Sequence, residues 1–389
     1  MNCHDSAPGP SDMVLTNAKL VLENEVVTGS LVVRGENIAA IDQGISAAPG
    51  ALDCGGDYLS PGLIELHTDN LERHMQPRPG VHLPNAAAIV AHDAELASVG
   101  ITTVFDAIRI GSLSESRSRY GRYARKMVTN IIEMRTYNAL KISHFIHLRA
   151  EVCSETLLEE LAEFSADDRI GILSVMDHTP GQRQFRDAAA RRTLLSGKYN
   201  MTDAEIDAHL SKLERVSKEN GPAGEKAAVA AAKAFGAVLA SHDDTTLDHV
   251  AQSIEHGVGL AEFPTTLEAA KATAEAGIHV MMGAPNLLRG GSHSGNVAAS
   301  DLAEAGCLDI LSSDYAPYSL LMAAVRLGQE AADMAMGLAR VTSAPAKAAG
   351  LDDRGVLRPG LRADLLRFRM LADGTPVTRG AWLRGQRIG

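Results

Sequence analysis

Pro61-Gly62-Leu63-Ile64-Glu65-Leu66-His67-Thr68-Asp69-Asn70 is an apolar run that carries a His and an Asp, two residues apart, to its end. On an extended strand, residues i and i+2 share a face. The run therefore predicts a strand over 63–69 whose last imidazole and carboxylate converge on one point. Such a pair at the mouth of a first barrel strand begins a metal site. Taken alone, it reads equally well as a polar strand end with a solvated Asp. The rest of the chain decides between the two.

The same grammar recurs downstream. Apolar runs at 101–107, 144–151, 171–178, 236–243, 259–265, 278–285 and 308–315 each read as a strand, and Ala- and Leu-rich helical stretches separate them. With 63–69 they make eight, the number that closes a (β/α)8 barrel of the TIM type. A doubly wound open sheet competes, but no GxGxxG follows an early strand. Residues 13–60 hold short alternating segments punctuated by Gly, Asn and Asp. The C-terminus returns to that pattern after the turn-rich 353–360. Both termini thus predict one small β-sandwich domain, 13–60 with 346–389, beside a catalytic barrel spanning 61–345. Residues 1–12 read as a disordered tail. The segment 179–234 is too long for an ordinary barrel connection. It reads as a helical insertion, one helix near 202–219 and a second near 223–235, placed as a lid over the mouth.

The 389 residues are 45% hydrophobic and 22% charged, enough for a large core and a smaller one. A net charge of −11 speaks against nucleic-acid partners, which need a basic surface. An anionic small molecule stays open, because metals and local arginines reverse the field inside a pocket. Four cysteines without a CxxC pair read as reduced thiols of a cytoplasmic protein, Cys153 lying near the candidate site. No run approaches the ~20 apolar residues of a membrane span, and no charged-then-apolar leader opens the chain.

The predicted strands end in chemistry. Their last residues include His67 and Asp69, Asp106, Glu151, Asp177 and His178, His242 with Asp243 and Asp244, Glu262, and Asp314. A barrel keeps its active site at the C-terminal strand ends. Two divalent ions need about six protein ligands, one of them bridging. His67, Asp69, Glu151, His178, His242 and Asp314 supply that set. Singly, His178 and His242 also read as hydrogen-bonded core histidines, Glu151 as a partner of Arg149, and Asp314 as a helix cap. His74, His82, His92 and His209 lie away from strand ends and read as surface or locally hydrogen-bonded residues.

Two loops speak to the substrate. The run GAPNLLRGGSHSGN at 283–296 combines permissive glycines, the donors Ser292 and Asn296 and the fixed cation Arg289. It reads as an oligophosphate cradle without the GK[ST] of a P-loop, and His293 within it as an acid or donor. TPGQRQF at 179–185 follows His178 directly and aims Arg183 at the same mouth. Arg78 and Arg109 are weaker phosphate candidates.

These motifs resemble the amidohydrolase superfamily. PGLIELHTDNLE, MDHTPGQRQF, ASHDD, AEFPTT, MGAPNLLRGGSHSGNVAA and LSSDYAP are similar to its α-D-ribose 1-methylphosphonate 5-triphosphate diphosphatase branch, from the bacterial phosphonate C–P lyase pathway. NAKLVLENEVVTGSLVV and DRGVLRPGLRADL extend the likeness over nearly the whole chain from about residue 14. The resemblance implies hydrolysis of a small ribose 5-triphosphate to the 5-phosphate and pyrophosphate. It also implies divalent metal, two ions, zinc first and Mn, Fe or Mg beside it. Superfamily ligand roles carry over to His67, Asp69, His178, His242 and Asp314. Asp69 stands where the superfamily has a second His. No Lys ends a middle strand, so Glu151 takes the bridging place. Asp314 would relay a proton and His293 would assist the leaving group, with Arg183 and Arg289 on the phosphates. The competing functions are hydrolysis of a C–N bond, as in a deaminase or cyclic amidase, and a metal-free scaffold subunit. Self-association as a homo-oligomer is also open.

Overall fold

The computed structural model describes residues 12–46, 48–78, 80–113, 122–181, 183, 196, 201–292 and 295–389. Five strands open it: β1 Met13–Val21, β2 Val26–Arg34, β3 Asn37–Gln43, β4 Leu52–Asp53 and β5 Tyr58–Pro61. After Gly62 alone, eight more follow: β6 Leu63–Thr68, β7 Ile101–Ile110, β8 Ser143–Glu151, β9 Ile170–Met176, β10 Val238–His242, β11 Leu260–Glu262, β12 His279–Gly283 and β13 Ile310–Ser312. The chain closes with β14 Leu365–Met370, β15 Pro376–Leu383 and β16 Gln386–Arg387.

Strands β6 to β13 lie parallel in chain order. A parallel bridge between Thr68 and Asp314 brings the last strand back to the first, so the sheet is a nearly closed barrel. Each of the eight predicted barrel strands is present, because each apolar run is bounded by turn residues and followed by a helical stretch.

Strand alternation sorts the side chains into layers. Ile146, Leu148 and Ala150 of β8 face outward and pack with Met127, Val128 and Ile131 of the helix Ala124–Thr136. Phe105, Ile172, Ala240, Leu260, Met281 and Ile310 fill the barrel interior, with Phe145 packed against them. Each fully buried Ile, Leu, Met or Phe among them contributes roughly 1.5–3 kcal/mol. This apolar layer fills the middle of the barrel and leaves its mouth, at the strand C-termini, to polar residues.

The second sheet runs β16-β15-β14-β5-β1-β2-β3, with β4 on β1. It draws on both ends of the chain, since β5 lies between β1 and β14.

The predicted helix pair is one helix, Asp203–Phe235. Thr202 and Glu205 form a capping box at its start and Gly236 ends it in a left-handed conformation. Pro222 does not break it: that residue is exposed, while Val216, Gly224, Ala228 and Ala232 bury one continuous face. Of the segment 179–234 read as a lid, residues 182, 184–195 and 197–200 lie outside the described residues, as do residues 1–11 of the predicted tail. Among the described residues, no helix is long and apolar enough to cross a membrane.

Candidate active site at the barrel mouth

The first strand does not end as its sequence predicts. The pairing of β6 with β7 shifts register between Leu63 and Ile64 and again between Glu65 and Thr68. Such irregularities re-aim side chains. Extended geometry stops at Thr68, and Asp69 is the N-cap of the helix Asn70–Met75, at φ −96° and ψ 13°. His67 and Asp69 therefore do not share a strand face. His67 is buried in the barrel. Asp69 sits at the rim, its Oδ2 3.8 Å from Nη1 of Arg149.

Glu262, at the end of β11, is the hub. It is 0% exposed, and three imidazoles surround it. Its Oε2 accepts from Nδ1 of His242 at 2.9 Å and lies 3.2 Å from Nδ1 of His67. Its Oε1 lies 3.3 Å from Nε2 of His147. Burial alone would raise its pKa, but the facing imidazoles hold it well below the usual carboxylate range. His147 donates from Nδ1 to the carbonyl of Leu66 at 2.9 Å. Burial above all pushes its pKa down to about 3, so it is neutral at physiological pH.

Two donor groups meet the spacing a cation needs. One atom from each of His67, His242 and Glu262 lies within 4.8 Å of the others, and the same holds for His178, His242 and Asp243. Nδ1 of His67 and Oε1 of Glu262 are buried and make no hydrogen bond. Neutral imidazole and carboxylate are the donors that first-row divalent ions take, and unsatisfied buried donor atoms are what such an ion would complete. The residues fit a divalent metal.

The other predicted residues fall around this hub. Glu151 ends β8 and pairs with Nδ1 of His178 while accepting that residue's backbone N–H at 3.1 Å. Burial raises its pKa, but His178 more than offsets this and the carboxylate sits below its ordinary value. Asp314 follows β13. Its carbonyl accepts from Thr68 Oγ1 at 2.7 Å and its N–H donates to Ser312 Oγ at 3.2 Å. Burial first, then the charge of Asp69, pushes its carboxyl up to about 7, against His67 and Arg149. Asp243, Phe263 and Asp314 all sit at φ between 54° and 59°, so β10, β11 and β13 each lead into a left-handed non-glycine residue. Backbone of that kind costs on the order of 1 kcal/mol per residue and clusters where a site is pre-organised.

Arg183 is turned into the protein. At φ 50° and buried, it donates from Nη1 to the carbonyl of His242 at 2.7 Å and to Oδ1 of Asp244 at 2.6 Å. Asp244 also accepts from Ser241 and Ser253. Arg183 thus braces His242 from behind.

A cavity of about 180 Å³ opens at the mouth. His67, His178, His242 and Asp314 line it on the metal side; Arg289, Ser292 and Asn296 line it on the loop side, with Arg149 between. Asn286 ties that loop down, donating to the carbonyl of Val297 at 3.3 Å and accepting from the N–H of Ala299 at 2.9 Å. Of the predicted residues, Asp69, Glu151 and Arg183 do not line the cavity, and His293 lies outside the described residues. Asp106 is not at the mouth: it is buried within β7 and accepts from His92 and His144 toward the helix Asn85–Ser98. Cys153 is buried, its Sγ 3.3 Å from the carbonyl of Leu213. Sequence reasoning missed His147 and Arg149. Their signal is the phase of β8, in which 145, 147, 149 and 151 face inward together.

A parallel barrel with imidazoles and carboxylates at its C-terminal mouth defines a class of barrel enzyme. Residues 183–381 match the model of the Amidohydrolase family. The chain is 42% identical, over 97% of its length and 100% of the relative's, to alpha-D-ribose 1-methylphosphonate 5-triphosphate diphosphatase of Escherichia coli (strain K12). Among solved structures it is similar to N-acetylglucosamine-6-phosphate deacetylase from Pasteurella multocida, at TM-score 0.60 and 15% identity over 97% of this chain and 99% of that one. It is likewise similar to dihydropyrimidinase from Brevibacillus agri, at TM-score 0.60 and 14% identity over 97% and 95%. The chain belongs to the amidohydrolase family.

Proposed function

We propose that this chain hydrolyses α-D-ribose 1-methylphosphonate 5-triphosphate to the 5-phosphate and pyrophosphate in phosphonate catabolism. The carrying observation is the full-length 42% identity to the E. coli enzyme of that name. It is supported by a cavity that sets imidazoles and Asp314 opposite Arg289, Ser292 and Asn296.

We read His67, His178, His242 and Asp314 as ligands of two divalent ions, zinc first, with Asp69 at the rim. Glu262 and Asp243 join the donor set, and Glu151 acts through His178. A divalent cation held there supplies charge that lowers the pKa of water and offsets that of the phosphates. Asp314, which follows the last barrel strand and lines the cavity, takes the proton from the attacking water. Arg289 at the exposed end of its helix, with Ser292 and Asn296, receives the β- and γ-phosphates and steadies the leaving pyrophosphate. His293 is the proposed proton donor to it. Arg183 fixes His242 in place.

We read 13–60 with 346–389 as a small β-sandwich domain, a reading supported by the shared core of Leu15, Leu31, Leu59, Leu365 and Trp382. Residues 61–345 form the catalytic barrel in this reading. The proposed setting is cytoplasmic, and light scattering reads whether copies associate.

The test is incubation of the metal-loaded protein with the ribose triphosphate and, in parallel, with cyclic amides. Pyrophosphate release is the expected result. Amide turnover without pyrophosphate would move the reading to C–N hydrolysis. Neither activity, together with no bound metal, would move it to a scaffold.

A further inference from the structure

The end of the barrel opposite the mouth carries an unbalanced arginine cluster. Arg169 immediately precedes β9, and Arg135 lies in the last turn of the helix Ala124–Thr136. Arg354 donates to Oγ1 of Thr103, near the start of β7, at 3.0 Å. Arg362 donates to Oγ of Ser143, the first residue of β8, at 3.2 Å. All four therefore gather at the N-terminal strand ends.

Phe145 anchors two of them. The guanidinium carbon of Arg169 stands 4.3 Å from its ring centre and that of Arg354 5.9 Å. Two carboxylates serve the group: Asp353 pairs with Arg354 and Arg362, and Asp364 pairs with Arg362. Among the described residues, the side chains of Arg169 and Arg135 make no ion pair and no hydrogen bond. Arg362 is 6% exposed, yet its Nε has no hydrogen-bond partner, and neither does the buried Nε of Arg169. Arg169 also holds φ at 57°, a left-handed conformation for a long side chain.

Cations placed together without matching anions repel one another and pay desolvation besides. Burial first, then the charges of Arg135, Arg354 and Arg362, pushes the pKa of Arg169 down to about 10. A planar guanidinium with an unsatisfied N–H beside a second unpaired guanidinium is the geometry that receives an oxyanion.

We propose that the floor of the barrel binds a small multivalent oxyanion of the phosphate class, held by Arg169 and Arg135 with Nε of Arg362. This site is separate from the mouth and independent of the catalytic reading. Its ligand neutralises the cluster and stabilises the fold when bound.

Inorganic phosphate is the probe. Thermal midpoints of the metal-loaded protein are measured in phosphate and in chloride at equal ionic strength, for the parent chain and for Arg169→Gln, Arg135→Gln and Arg289→Gln. Saturating phosphate is expected to raise the parent midpoint by about 2 °C. Arg289→Gln, at the mouth, keeps that rise; Arg169→Gln and Arg135→Gln lose it, and Arg169→Gln turns substrate over at the parent rate. Should Arg169→Gln fail to fold, Arg135→Gln alone decides. A rise that survives both floor variants, or one that vanishes in Arg289→Gln, overturns the proposal, as does the absence of any rise in the parent chain.

Discussion

A buried carboxylate keeps its charge at neutral pH only where donors or cations face it. Glu262 meets that condition through His242, which donates to its Oε2, and His67 3.2 Å from the same oxygen. Glu262→Gln preserves the volume and removes the charge. Its divalent-metal affinity is expected to fall about 10–100-fold, read by titration against a competing chelator; unchanged affinity would place the ion away from this hub. Asp314→Asn is expected to slow pyrophosphate release by about 100-fold or more while leaving the near-ultraviolet circular dichroism intact. Turnover close to the parent rate would remove Asp314 from proton relay. His67, His178, His242 and Asp314 were legible because each closes an apolar run. Glu262 was visible as a strand end, but its strand is three residues long and nothing in it marks a hub. Asp69 and Arg183 were misplaced for a different reason. The stop of β6 at Thr68 and the positive φ of Arg183 are set by tertiary packing, which leaves no mark on residue type.

Between β7, β8 and the helix Asn85–Ser98 lies a buried polar chain whose protonation can be read from its partners. His144 donates to Asp106 at 2.7 Å and faces Asp93 at 3.2 Å, so both ring nitrogens carry protons. Burial lowers its pKa, but the two carboxylates prevail and raise it to about 9. His92 receives a hydrogen bond from Asn70 and donates one to Asp106, so it is neutral, and burial lowers its pKa. The unfolded chain titrates both near 6.5. From 6.5 to 9 the folded state holds the His144 proton that the unfolded state has lost, so stability falls as pH rises. Below 6.5 the unfolded state takes a proton that folded His92 refuses, so stability falls as pH drops. These elements therefore predict a maximum near pH 6.5. His144→Gln is expected to flatten the alkaline limb, worth on the order of 3 kcal/mol, in urea unfolding from pH 6.5 to 9; an unchanged limb would mean His144 is neutral. The helix Asp203–Phe235 gives a second test. Proline inside a helix costs about 3 kcal/mol relative to alanine, and Pro222 is exposed within one. Pro222→Ala is expected to raise the thermal midpoint, and a lowered one would mean that the local bend is needed. The eight barrel strands were legible because period-two runs and helical stretches alternate without interruption. The single long helix was not, since a proline ordinarily ends a helical pattern.

At the scale of the molecule, the terminal sheet and the barrel are joined where the first catalytic strand begins. Only Gly62 separates β5 from β6. Its N–H donates to the carbonyl of Asp364 at 2.8 Å, and the N–H of Leu63 donates to that of Gly100 at 3.0 Å. Leu366 and Phe368 of β14 share one hydrophobic cluster with Leu63, Leu96 and Val104 of the barrel side. Arg354 reaches Thr103, and Lys141 donates to the carbonyl of Ile388 at 3.2 Å. Contacts this continuous leave no plane along which one part could melt first. Calorimetry of the metal-loaded protein is therefore expected to show one transition. Gly62 is the place to test the coupling, because a Cβ there would lie 2.3 Å from the side chain of Thr102, which is buried. Gly62→Ala must push β6 or β7 aside, a shift that costs roughly 1–3 kcal/mol. The whole transition is expected to move down by about 1–4 °C as a single peak. Two resolved peaks, only one of them displaced, would show that sheet and barrel unfold separately and that the alignment of His67 does not depend on the terminal strands.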